Sequence, residues 1–148
     1  MLGKPDNKKS KRRIDRSATR GPQLDNQKIA IIGLGRIGSA FLRNMLGRRA
    51  HGVELAAVAE TGDTPGRQMA IDAGLPLMTL DEIVALGAGV DVLFDLTGIP
   101  AVRRELRDKL MERDNYHTVI ASESIARLIW ALTSDDLLPV IEGRTTGY

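Results

Sequence analysis

The sequence predicts an α/β protein with a doubly wound parallel sheet. Two observations carry this reading: five short apolar runs alternate with segments whose apolar residues recur at helical spacing, and Gly, Pro or capping residues punctuate the junctions. Parallel strands joined this way need right-handed crossovers with helices on both faces, and the expected strand order is 3-2-1-4-5.

Lys28-Ile-Ala-Ile-Ile-Gly33 is a continuous apolar run that stops at glycine, as expected of a strand buried on both faces. A helix follows over Arg36–Arg49, with Ile37, Phe41, Met45 and Leu46 on one side. Val53–Ala59 is the second strand. Asp63-Thr64-Pro65 then supplies a cap and an early proline for a helix that runs to about Ala73 and stops at Gly74. Pro76–Thr79 reads as a short third strand, and Asp81 as the cap of a helix carrying Ile83, Val84 and Leu86. Val90–Asp95 is the fourth strand. Pro100 opens a helix with Val102, Leu106 and Leu110 inward and Arg103, Arg104, Arg107 and Lys109 facing water. Thr118–Ala121 is the fifth strand, and Glu123–Thr133 the last helix, presenting Ile125, Leu128, Ile129 and Leu132 to the sheet, with Ser122 or Ser124 as its cap.

Length and composition fit one such domain. The chain has 148 residues, 43% hydrophobic, enough for one core and too few for two ordinary domains. It has no cysteine, which excludes a disulfide framework, a thiolate metal site and a cysteine nucleophile. No apolar run approaches the roughly 18 residues of a membrane span, and the basic start is not followed by an apolar secretory segment. The expectation is a soluble, cytoplasmic protein. The net charge of +2 hides an asymmetry: residues 1–27 carry +5 and the remainder −3. Residues 1–27 are expected to form a disordered basic tail, and residues 28–148 the folded domain. Lys8–Arg13 is basic enough for nucleic acid or an anionic surface, but no aromatic residue is interleaved to stack on bases, so a solvated leader is the favoured reading.

Gly33-Leu34-Gly35-Arg36-Ile37-Gly38 follows the first strand and opens a helix. In that setting each glycine of a G-x-G-x-x-G run has its own duty: Gly33 makes the tight turn, Gly35 lets main chain approach a pyrophosphate, and Gly38 packs the helix on the sheet. The first helical amides, at Arg36, Ile37 and Gly38, then face the anion. Glu60 lies at the end of the second strand, placed to accept hydrogen bonds from adenosine ribose hydroxyls. Its charge would repel a 2′-phosphate, and no cation follows before Arg67, so NAD is expected over NADP. The expected crevice lies between the first and fourth strands. There Thr97 would donate to a ribose or phosphate oxygen and Gly98 would let the chain pass closely, while Ser122 is a weaker candidate on the same rim. Asp95 is placed to point into this crevice. His51 and His117 lack metal-ligand spacing and read as structural or solvent-facing. Trp130 reads as packing partly against the sheet, and Asp135-Asp136 as a solvated helix end.

These segments have a family likeness. Residues 28–38, Glu54-Leu-Ala-Ala-Val-Ala-Glu60, Gly74-Leu-Pro76 and Asp91-Val-Leu-Phe-Asp-Leu-Thr-Gly98 resemble the NAD(P)-binding Rossmann domain of homoserine dehydrogenase, dihydrodipicolinate reductase and the glucose-fructose oxidoreductase group. The likeness spans about residues 28–133, and its glycine run is also similar to that of the 2-hydroxyacid and glyceraldehyde-phosphate dehydrogenases. It implies NAD(P) at Gly33, Gly35, Gly38, Glu60 and Thr97. It does not extend to catalysis, because those enzymes draw their substrate pocket from a second domain. About 15 residues follow the last predicted helix here, and no such domain is expected.

Three functions stay open on this reading. One is a free-standing cofactor-binding or redox-sensing module that reports to an oligomer or a regulatory protein partner. Another is the cofactor half of an NAD(P)-dependent oxidoreductase whose substrate domain lies elsewhere. The last is a binder of coenzyme A or another nucleotide on the same fold.

Overall fold

The computed structural model describes residue 3, residues 26–141 and residue 143. The expected basic tail, including Lys8–Arg13, lies outside the described residues apart from Gly3, Asn26 and Gln27.

Strand β1 covers Gln27–Ile32 and leads to helix α1, Arg36–Leu46, followed by a 3-10 turn at Arg49–His51. Strand β2 is Val53–Ala59 and helix α2 is Pro65–Asp72. Helix α3 is Leu80–Val84, and a second 3-10 turn covers Gly87–Gly89. Strand β3, Val92–Asp95, helix α4, Pro100–Glu112, strand β4, Val119–Ala121, and helix α5, Glu123–Thr133, complete the order. All pairings are parallel, and the sheet order is β2-β1-β3-β4.

Among the described residues the sheet therefore has four strands where the sequence predicts five, and the expected order 3-2-1-4-5 is corrected accordingly. Of the segment Pro76–Thr79, only Leu77 makes a β-bridge, to Val58 at the outer side of β2. Two main-chain bonds accompany it, from Val58 N to Pro76 O and from Met78 N to Val58 O. Thr79 is already committed to the next helix: its hydroxyl accepts from Glu82 N, and Glu82 accepts from Thr79 N. This reciprocal capping box ends the extended chain, and it makes Thr79 the cap in place of Asp81.

Strand alternation divides the core into two layers. Ile29 and Ile31 face the side covered by α1, α2 and α5, whereas Ala30 and Ile32 face the side of α3 and α4. In β2 the pairing shifts so that Ile29 opposes Leu55 and Ala30 opposes Ala57. The extra residue, Ala56, resets the alternation and puts Leu55 and Val58 in the same layer despite their odd spacing. On that side Phe41 of α1 and Phe94 of β3 bring their rings to 4.8 Å at a tilt of 53°.

Two burial expectations are overturned. Arg103 was expected in water, yet it is 8% exposed and its Nε lies 3.4 Å from the still more deeply buried Asp95. Side chains in the first turn of a helix lean toward its N-terminus, so the guanidinium reaches back to the end of β3. Helix α5 is rotated from the expected setting. Glu123 and Ala126 are buried and Ile129 packs on the core, while Ile125, Leu128 and Leu132 are exposed. Asn44 and Arg48 of the α1 end bind Thr133, fixing the helix with Ala126 against the sheet. No helix among the described residues is long and apolar enough to cross a membrane.

At the amino edge of the sheet, Asp91 accepts from Lys28 N at 2.8 Å and lies 2.6 Å from His117 Nε2. Chiefly through the main-chain bond from Lys28, and then through His117, its carboxyl is held below the ordinary 3.8. A group with a depressed folded-state pKa stabilises above its unfolded value. The contribution is therefore complete above about pH 5 and drains away as pH falls through 3.8 toward the folded value. Asp91→Asn should cost on the order of 1 kcal/mol at pH 7 and flatten the acid limb of stability, read as melting temperature against pH. Urea unfolding should show Ala126→Leu costing about 1–3 kcal/mol and Leu128→Ala less than about 0.5 kcal/mol, the reverse of what an inward Leu128 would give.

Candidate functional site

Beyond β1 the chain turns at Gly33, whose φ of +90° suits glycine, and Gly33 N donates to Ala59 O at 2.9 Å. A Cβ here would also lie 2.9 Å from Thr97 N, so the turn rests directly on the chain that leaves β3. At Gly38 a Cβ would sit 1.8 Å from Gly33 O, so α1 approaches the turn at backbone distance. Gly66 on α2 does the same from the other side, where a Cβ would lie 2.8 Å from Leu34 O. Ser39 Oγ donates to that carbonyl.

Gly35 differs from these. It is exposed, has φ −74°, and a Cβ added to it would meet nothing within 4 Å. Among the described residues neither strain nor packing calls for glycine there. The open position faces a cleft of about 830 Å³ at the carboxyl ends of β1, β2 and β3. Gly35 is also the N-cap of α1 and offers no side chain, so no side chain caps the first helical amides.

Glu60 lines the same cleft. Its Oε2 accepts from Leu34 N at 2.5 Å and its Oε1 from Gly62 N at 2.8 Å. The carboxylate thereby ties the end of β2 to the glycine turn. A carboxylate accepts about four hydrogen bonds, so lone pairs remain for a ligand.

Opposite the glycine turn, Thr97 lines the cleft, but its hydroxyl is committed. Thr97 Oγ1 donates to Asp95 Oδ1 at 2.7 Å and accepts from Ile99 N at 3.1 Å. Thr97 N also donates to Asp95 Oδ1. The expected hydroxyl donor is thus the clamp of its own loop. Asp95 does not point into the crevice as expected; it lies 2% exposed beneath the loop and beside Arg103.

Of the expected residues, Gly33, Gly35, Arg36, Glu60 and Thr97 are brought to one cleft. Ile37 and Gly38 are buried under the helix start, while Gly98, φ +69°, and Ser122 lie off the cleft wall. Sequence reading missed Gly66, whose signal is a glycine in the first turn of a capped helix. It also missed the wall formed by Leu77, Met78, Val102 and Ile141.

Charge is uneven along the cleft. Arg36 and Glu60 line it beside the glycine turn, whereas Asp81, Glu82 and Glu105 line it from α3 and α4. Lys109 Nζ lies 2.5 Å from Asp81 and 3.6 Å from Glu105, and its pKa is raised, chiefly by the hydrogen bond to Asp81. No cluster of potential metal ligands occurs among the described residues. No protein-family model matches the chain, and no curated protein matches it.

The two kinds of glycine separate experimentally. Gly38→Ala should lower stability by at least about 2 kcal/mol, because helix and turn must part. Gly35→Val should leave the thermal midpoint within a few degrees of wild type while filling the cleft floor, so any ligand lost is lost without unfolding.

Proposed function

We propose that this chain is a Rossmann-type domain that binds an adenine dinucleotide, NAD(H) in preference to NADP(H), as a cofactor-binding or redox-sensing module. The observation that carries the reading is Gly35, a position free of side chain although nothing among the described residues needs the space, above an uncapped helix start. Backbone amides and the helix dipole there suit a diphosphate, and the missing Cβ lets it approach. The parallel sheet, covered on both sides with its cleft beyond the carboxyl strand ends, supports the same assignment.

Glu60 supports the choice of dinucleotide. Its carboxylate keeps acceptor capacity for a ribose diol and opposes a phosphate at the same place. The described cleft wall presents Arg36, Glu60, Asp81, Glu82 and Glu105 to a bound ligand. It supplies shape, amides and carboxylates, which suit holding a cofactor.

Titration of the chain with NADH, NAD and NADPH by calorimetry and nicotinamide fluorescence tests the proposal. NADH and NAD should bind more tightly than NADPH. Glu60→Gln should weaken NADH by roughly five- to twentyfold and narrow its lead over NADPH, the scale of one charge-assisted hydrogen bond. A wild-type preference for NADPH would overturn the role given to Glu60. Binding of coenzyme A or a mononucleotide alone would overturn the dinucleotide assignment.

A further inference from the structure

The chain does not leave the domain after α5. Thr133 is bound by Asn44 and Arg48, from the end of α1 remote from the cleft. From there the chain doubles back along α5: Trp130 Nε1 donates to Asp136 O at 2.5 Å and Arg127 Nη2 to Pro139 O at 3.2 Å. The partners step forward by three along the returning segment and back by three along the helix, so the two run antiparallel. Seven residues of extended chain reach about 23 Å, more than the roughly 16 Å length of α5, and Ile141 arrives at the cleft and lines it.

This return is lightly fastened. Leu138 is buried, but Leu137 is 95% and Val140 74% exposed. Among the described residues no backbone-to-backbone hydrogen bond holds residues 137–141, and the Arg127 side chain alone binds their main chain, at Pro139 O. Arg127 is itself oriented by Glu123, at 2.9 Å, so the anchor is built into α5 while the strap lies over it. Segments with few buried contacts and few backbone bonds open at low free energy.

We propose that residues 135–141 form a strap that supplies one wall of the nucleotide cleft through Ile141 and tightens when the cleft is filled. The inference rests on the dinucleotide reading above, and it adds a ligand-contacting residue from outside the glycine turn and Glu60. A filled cleft gives Ile141 an apolar and aromatic surface to cover, and that contact holds the strap against α5. The hydrogen bond from Trp130 to Asp136 links the strap to the single tryptophan of the chain, so ligand binding changes the indole environment.

The experiment uses the full chain with NADH as probe, following calorimetric affinity and Trp130 emission together. Wild type should bind with a change in Trp130 emission. Ile141→Asp should bind about tenfold more weakly, because it sets a carboxylate against the ligand, and should lose most of the emission change. Ile141→Leu should restore both. Arg127→Gln should weaken binding severalfold by loosening the anchor, and a chain ended after Ser134 should match or exceed the loss in Ile141→Asp. Thermal midpoints check that each variant is folded, and Ile141→Asp, at a half-buried site, tests the proposal even if the shortened chain is unstable. Equal NADH affinity and equal emission change in wild type and Ile141→Asp would overturn the strap while leaving the dinucleotide site standing. Failure of wild type to bind any adenine dinucleotide would overturn that site and the strap with it.

Discussion

The architecture turns on one crowded place, where backbone meets backbone around the turn after β1. Gly33 abuts the chain at Leu96–Thr97, Gly38 abuts Gly33 O, and Gly66 abuts Leu34 O. No side chain fits at these three positions, so β1, α1, α2 and the β3 loop come within main-chain distance of one another. Close packing of this kind is intolerant of added volume and resists deformation. The turn is thereby held in one shape by packing within the protein alone. Gly35 is the exception inside that frame, open where its neighbours are closed.

Glu60 shows how one residue serves both the frame and the cleft. Its two oxygens hold Leu34 N and Gly62 N, which are main-chain groups of two different turns. Without the carboxylate the Leu34 amide would need another acceptor, since buried N–H groups are rarely left unpaired. A residue that sets the spacing between β2 and the glycine turn also sets the width of the cleft between them. Cleft width and local rigidity thus share a cause.

Much of this was legible in the sequence because it depends on local rules. The apolar runs of β1 and β2, the cap Thr64 with Pro65 behind it, the stop at Gly74 and the glycine turn each follow from a few adjacent residues. The failures depend on distant partners. Pro76–Thr79 has the composition of a strand, but the capping box at Thr79 and Glu82 takes over its last residue. Helix α5 offers two apolar stripes, and periodicity alone does not choose between them; the tethers from Asn44 and Arg48 do. Arg103 looks solvent-facing until Asp95, eight residues earlier, is seen to lie under the same helix turn. The cleft wall at Leu77, Val102 and Ile141 gathers residues spread over 65 positions, with no pattern in the chain to announce it.

The buried Asp95–Arg103 pair illustrates why the rim of the cleft is built at a cost. Removing two charges from water is expensive, and their attraction often only offsets that penalty, so such a pair is weak evidence for net stability. What it gives here is position. Asp95 accepts from the amide and the hydroxyl of Thr97 and faces Arg103, and Thr97 in turn accepts from Ile99 N, so four groups fix a five-residue loop against α4. An apolar replacement of the pair could pack as well and still leave the Thr97 amide and hydroxyl without an acceptor. The loop would then be free to lift from Gly33, whose close contact with Leu96 and Thr97 is itself part of the turn. The pair belongs to the constraint that shapes the cleft rather than to the forces that drive the chain to fold.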